Sequence, residues 1–298
     1  MIDVELPKTW VERVAGYPAD GGPPGAEWVR TVPGRIREAA RRWGLDLDGP
    51  PRTGWTAIVL PVRRDGEALA LKVTWPHDDM RTEHLALRLW DGDGAVRLVA
   101  ADPGAGLLLL ERLDADRDLR TLPIDAACAR AGELLARLHR PAPESLTAHA
   151  AYLAPHLERM ATRERVPRRI RDRTLGLVRE LSAAPGPSVV LHADLHYENV
   201  LYAADRGWVA IDPKPLRGHP GADLVPLLTN RRTDLDGRSF REAMRGRVAI
   251  AAEAARIDED DALAWSLVMA GLEASWAVGM ADEDALTHAI ALTKALDA

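Results

Sequence analysis

The chain has 298 residues, 47% hydrophobic and 28% charged, with a formal net charge of −6: an ordinary globular balance, with enough length for two lobes. The acidic balance argues against a nucleic-acid partner and suits a cationic small molecule. One cysteine, Cys128, rules out an internal disulfide and makes a cytoplasmic location the expectation. No basic region followed by an apolar stretch opens the chain, and no run approaches ~18 apolar residues, so neither a signal peptide nor a membrane partner is expected.

Residues 1–25 are rich in Pro and Gly and read as irregular. Helical spacing follows in 26–45, with Ile36, Ala39, Ala40 and Trp43 on one face and Gly44 as a stop. From 56 to 75 two runs of β-formers flank Asp65-Gly66, a strong hairpin signal. The segment 80–90 predicts a helix with Leu85, Leu89 and Trp90 on one face, and two further strands lie around Asp102-Pro103-Gly104. Beyond 113 the pattern turns helical: 123–139, with Asp125 as N-cap and a stripe through Ala129, Leu134, Leu135 and Leu138, then 146–164 and 167–184. Short strands follow at 189–192, 199–203 and 208–212, the last two flanking Asp205-Arg206-Gly207, and helices return from 238 to the end. The composition shift at 111–118 divides the chain into a β-rich lobe, 1–112, and a helical lobe, 113–298.

The chemistry concentrates in LHADLHYENVL (191–201) and WVAIDP (208–213). Phosphoryl transfer from ATP asks a protein for metal ions and a cation on the phosphates and for a carboxylate that orients the attacking hydroxyl. Asp194 can orient the hydroxyl, while Asn199 and Asp212 can hold Mg2+, a hard ion that retains waters and needs few protein oxygens. Asp194 and Asn199 have the spacing of the catalytic loop H-R-D-x-x-x-x-N, and a hairpin turning at 205–207 returns Asp212 beside that loop. His192 and His196 are read as structural hydrogen-bonders. Neither has the spacing of a zinc site.

These residues resemble the H-G-D-L-H-x-x-N and I-D motifs of aminoglycoside phosphotransferases and related small-molecule kinases with a protein-kinase-like fold. His196 stands where protein Ser/Thr kinases usually carry a lysine. The stretches RWGLDLDGP, LALRLWDGDGAVRLVAAD, ELLARLHRPAP and WVAIDPKPLRGHPGADLVPLLTN are similar to the branch of streptomycin 6-phosphotransferase and hydroxyurea phosphotransferase, from about residue 26 onward. The resemblance implies an α+β fold: a small antiparallel β lobe with helices, then a larger, mainly helical lobe. It implies ATP and Mg2+ as cofactors, with ATP between the lobes. It makes Lys72 the phosphate-contacting lysine, Glu83 its helix partner, Gly54 and Thr56 the phosphate-loop position, and Glu111 to Leu113 the hinge that reads adenine through its backbone. Lysine occurs only at 8, 72, 214 and 294, so one inside a strand stands out. Where the family has glycine after the first histidine, this chain has Ala193, and a negative φ is expected there.

An aminoglycoside acceptor is cationic, so carboxylates should surround its hydroxyl. Glu273 and Trp276, three apart on one helical face, and Asp223 are candidates, with Asp261 a further acid. The arginine-rich run 159–173 reads as a solvated face. The favoured activity is ATP-dependent O-phosphorylation of a small molecule such as streptomycin or hydroxyurea, by a monomer or weak homodimer. A kinase of a cellular sugar, amine or amino alcohol, or a nucleotide-binding regulator without turnover, also fits the residues.

Overall fold

Prolines and glycines of the first 25 residues flank a helix instead of interrupting one. In the computed structural model, which describes residues 4–19, 22–183 and 186–297, Pro7 caps α1 (Lys8–Ala15) and Gly16 ends it. The expected irregular start is corrected to that extent. Trp10 of α1 is buried edge-on against Trp28 of α2 (Gly25–Trp43), with ring centroids 6.0 Å apart. Gly44 stops α2 in the left-handed conformation, φ 64°.

The two helices cover one face of an antiparallel sheet made of β1 (Asp46–Leu47), β2 (Arg52–Thr53), β3 (Ala57–Arg64), β4 (Glu67–Thr74), β5 (Leu98–Asp102) and β6 (Leu107–Glu111). Its order is β1-β3-β4-β6-β5, with β2 also on β3. Asp65 and Gly66 both have positive φ, as a two-residue hairpin turn needs. Ile58, Leu60, Val62, Leu69, Leu71 and Val73 alternate onto the face beneath α1 and α2. The period of two therefore turns Lys72 to the opposite face. α3 (Glu83–Trp90) buries Glu83, Ala86, Leu87 and Trp90. Leu89, expected on the buried face, is exposed, because the helix starts only at 83 after a 3-10 turn and its packed stripe is set from there.

The chain divides into two compact units, residues 1–113 and 114–298. The second contains β7 (Asp114–Asp118), α4 (Ile124–Leu138), α5 (His149–Thr162), α6 (Arg168–Ala183), β8 (Val189–Leu191), β9 (Val200–Ala203), β10 (Gly207–Ala210), β11 (Leu216–Gly218), α7 (Pro226–Thr229), α8 (Phe240–Ala255), α9 (Glu259–Met280) and α10 (Glu283–Leu296). Pro123, not Asp125, occupies the N-cap of α4; Asp125 sits inside the first turn and pairs with Arg238 at 2.8 Å. α9 is the core helix of this unit, packed by α5, α6, α8 and α10. Its length and composition would suffice to cross a membrane, where no run of that kind was expected. Yet 61% of its apolar window is buried inside the protein. The β9–β10 hairpin pairs Ala203 with Gly207 through Ala210 with Val200, and β8 pairs with β11. The catalytic-type loop 192–199 runs between these two small sheets.

Candidate active site

The loop is fastened from below by one carboxylate. Asp223, wholly buried, accepts hydrogen bonds from the backbone N–H of His192 at 2.9 Å and of Ala193 at 2.6 Å, and meets His139 Nε2 at 3.0 Å. Burial opposes its ionisation, but the His139 hydrogen bond, the nearby His139 ring and the His192 N–H outweigh that and hold its carboxyl below the usual value. Just past these two bonds the backbone turns left-handed, and Ala193 has φ 59°. The expected negative φ is therefore corrected: the chain places alanine where glycine would be unstrained.

His192 is buried, which lowers its pKa and keeps the ring neutral. Nδ1 accepts the Asp194 N–H at 3.3 Å, so Nε2 carries the hydrogen donated to the Ile211 carbonyl at 3.0 Å. This histidine joins the loop to the strand end that carries Asp212. His196 does less: its buried Nδ1 has no hydrogen-bond partner, and the Glu198 carboxylate stands 3.9 Å away.

Asp194, Asn199 and Asp212 are gathered by backbone pairing. Ile211 N–H donates to the Asn199 carbonyl at 2.9 Å, extending the hairpin by one step and bringing Asp212 alongside the loop. Asp212 has φ 56°, which ends the strand and turns its exposed side chain out of the ladder. Asn199 is buried and donates its amide N–H to the Asp194 carbonyl at 2.9 Å, leaving the amide oxygen as the acceptor atom. One carboxylate and one amide oxygen fit magnesium, which takes its remaining ligands from water and phosphate. Among the described residues no group of three or more His, Cys, Asp or Glu forms a dedicated metal cage. Lys214, one of the chain's four lysines, brings Nζ to 2.9 Å from Asp194 Oδ2.

In the first unit, Lys72 Nζ and Glu83 Oε1 are 2.6 Å apart, both buried. The Lys72–Glu83 pair is thus formed. Gly54 and Thr56 make the turn between β2 and β3, where Gly54 N–H donates to the Ala57 carbonyl at 2.9 Å and Trp55 is exposed at the tip. Glu111 accepts the Arg97 N–H at 2.7 Å, so its carboxylate is committed to the sheet; Leu113 ends the unit.

Of the acceptor candidates, Asp223 is corrected: its oxygens are consumed beneath the loop and none of it reaches solvent. Asp261 lies 3.4 Å from His219. Glu273 of α9 faces the site. Burial first, and then the Asp194 charge, push its pKa up to about 7, while Lys214 pulls the other way. Trp276 donates its indole N–H to His156 Nδ1 at 2.8 Å, so only its ring is left to offer.

A family model described as aminoglycoside/hydroxyurea antibiotic resistance kinase matches residues 42–280. A hydroxyurea phosphotransferase from Kitasatospora aureofaciens is 41% identical over 275 residues, covering 89% of this chain and 77% of that protein. A streptomycin 6-kinase from Streptomyces glaucescens is 37% identical over 272 residues, covering 88% of this chain and 87% of that protein. Among solved structures, a thermostable mutant of aminoglycoside phosphotransferase APH(4)-Ia in ternary complex with ADP and hygromycin B aligns with a TM-score of 0.62 at 14% identity, over 87% of this chain and 96% of that one. That likeness shows the protein-kinase-like α+β fold.

Proposed function

This chain belongs to the aminoglycoside/hydroxyurea antibiotic resistance kinase family, and from that premise we propose that it moves the γ-phosphoryl of ATP to a hydroxyl of a streptomycin-like aminoglycoside or of hydroxyurea, inactivating the drug. It is a phosphotransferase acting on a small molecule. The observation that carries the finer reading is the gathering of Asp194, Asn199 and Asp212 around one loop and one hairpin end, beneath which Asp223 and His192 leave no slack.

Asp194 orients the acceptor hydroxyl and takes its proton. Asn199 and Asp212 hold Mg2+, which neutralises phosphate charge when bound. Lys72, kept in place by Glu83, contacts the nucleotide phosphates, the Gly54–Thr56 turn covers them, and backbone groups at Glu111 and Leu113 read adenine. Glu273 binds a cation of the acceptor and the ring of Trp276 lies against it. The protein works in the cytoplasm, where ATP is supplied, as a monomer or weak homodimer.

A coupled ADP-release screen with streptomycin, hydroxyurea, other aminoglycosides and simple amino alcohols tests this, with the product identified by mass. Turnover of an aminoglycoside or of hydroxyurea, abolished by EDTA, is expected. Turnover confined to amino alcohols would contradict the acceptor class, and none at all the activity.

A further inference from the structure

Lys214 lies in Asp212-Pro213-Lys214-Pro215, just past the end of β10. Its backbone N–H donates to the His192 carbonyl at 2.9 Å, so it is fastened to the residue that opens the loop. Prolines on both sides restrict the backbone further. From this anchored position the ammonium reaches Asp194 Oδ2 at 2.9 Å, while its side chain stays 46% exposed. A pair whose lysine is exposed and whose carboxylate is half-buried contributes modestly to stability, so its placement invites another account. The partner is the one carboxylate assigned to the acceptor hydroxyl. Position 196, two residues beyond Asp194, offers a histidine with an unpartnered Nδ1 and no fixed cation.

Geometry supplies the account. A carboxylate that holds an ammonium through one oxygen keeps the other for the hydroxyl hydrogen. In a reactive arrangement the hydroxyl oxygen stands ~2.7 Å from that carboxylate and ~3–3.5 Å from phosphorus. A cation bonded to the same carboxylate is then one hydrogen bond away from an equatorial phosphoryl oxygen. We propose that Lys214 is a catalytic residue, whose ammonium orients Asp194 with one hydrogen bond and donates another to the phosphoryl group in transfer. The acceptor oxygen forms its bond to the γ-phosphorus as the bond to the bridging oxygen breaks. That oxygen leaves with the electron pair as ADP, and the acceptor proton passes to Asp194. Lys214 remains protonated throughout and stabilises charge on the equatorial oxygens.

The inference rests on the phosphotransferase reading above. Its test is steady-state kinetics of Lys214→Met, Lys214→Gln and Lys214→Arg beside the wild-type protein, with ATP and an acceptor that the wild type turns over. The neutral variants should lose about 10²-fold or more in kcat, with both KM values within about threefold of wild type. Lys214→Arg should regain at least about tenfold of that loss, which a purely structural lysine would not require. A thermal transition at the wild-type temperature in either neutral variant shows that the loss is chemical. A folded neutral variant whose kcat stays within about threefold of wild type overturns the proposal and leaves the phosphotransferase reading intact; so does a change confined to KM. Failure of the wild-type protein to transfer phosphoryl to any acceptor overturns the reading, and the proposal with it.

Discussion

Ala193 carries a left-handed backbone that alanine adopts at a cost of about 1 kcal/mol. The cost is offset by the buried Asp223 carboxylate, which accepts the N–H groups of His192 and Ala193, and by His192 Nδ1, which accepts that of Asp194. Ala193→Gly is therefore expected to raise stability by roughly 0.5–1 kcal/mol, read as a higher denaturant midpoint at unchanged slope; a fall would show that the alanine methyl is itself packed. Glu273 gives a pH signature. In the folded protein its carboxyl ionises near 7 where the ordinary value is 4.5. Protonation therefore supports the fold below the lower value, and that contribution is lost as pH rises through about 7. A cationic acceptor paired with the ionised group should recover it. The melting-temperature gain from saturating acceptor should grow between about pH 6 and 8, and Glu273→Gln should flatten the trend. That Asp194, Asn199 and Asp212 lie on one loop and one returning hairpin was legible in the sequence, because elements of fixed length set their spacing. Asp223 was legible only as an acid: its burial comes from packing against a loop about thirty residues earlier, which no local pattern encodes. Lys214 escaped as a site residue for the same reason, since its partner is defined by the fold.

Elements with their own turn chemistry could be read directly. Asp65-Gly66 and Asp205-Arg206-Gly207 both became hairpin turns, and Gly44 ended α2. What escaped were elements whose reason for existing is a neighbour. β7 is the polar run DADRD, held by β9, and β11 is three residues long, held by β8. α1 hides among prolines and is stabilised by Trp10 against Trp28. Arg247 of α8 shows how far this dependence goes. Wholly buried, its guanidinium donates to the carbonyls of Leu227, Asn230, Arg231 and Asp234, at 3.2, 3.1, 2.8 and 2.6 Å. It thereby fixes the segment that follows α7. Arg247→Met should destabilise the fold by roughly 3 kcal/mol or more, because one buried and three part-buried carbonyls lose a charged donor at once. Chemical denaturation would measure it, and a change below about 1 kcal/mol would mean that water replaces the guanidinium.

For the molecule as a whole, the fold class and the kind of reaction were carried by short motifs, and family membership agrees with them. The acceptor was less legible, because Glu273, the group proposed to bind it, is brought toward Asp194 only by the packing of α9. The account turns on the claim that the Asp194 carboxylate, held by the braced loop, handles the acceptor hydroxyl. The direct measurement is kcat of Asp194→Asn with ATP and the best acceptor, beside the ATP affinity of the same variant. A positioned acid–base group contributes about 10²–10⁴-fold. The expected result is a loss of that size with ATP affinity unchanged; retention of more than about a tenth of the wild-type kcat would contradict it.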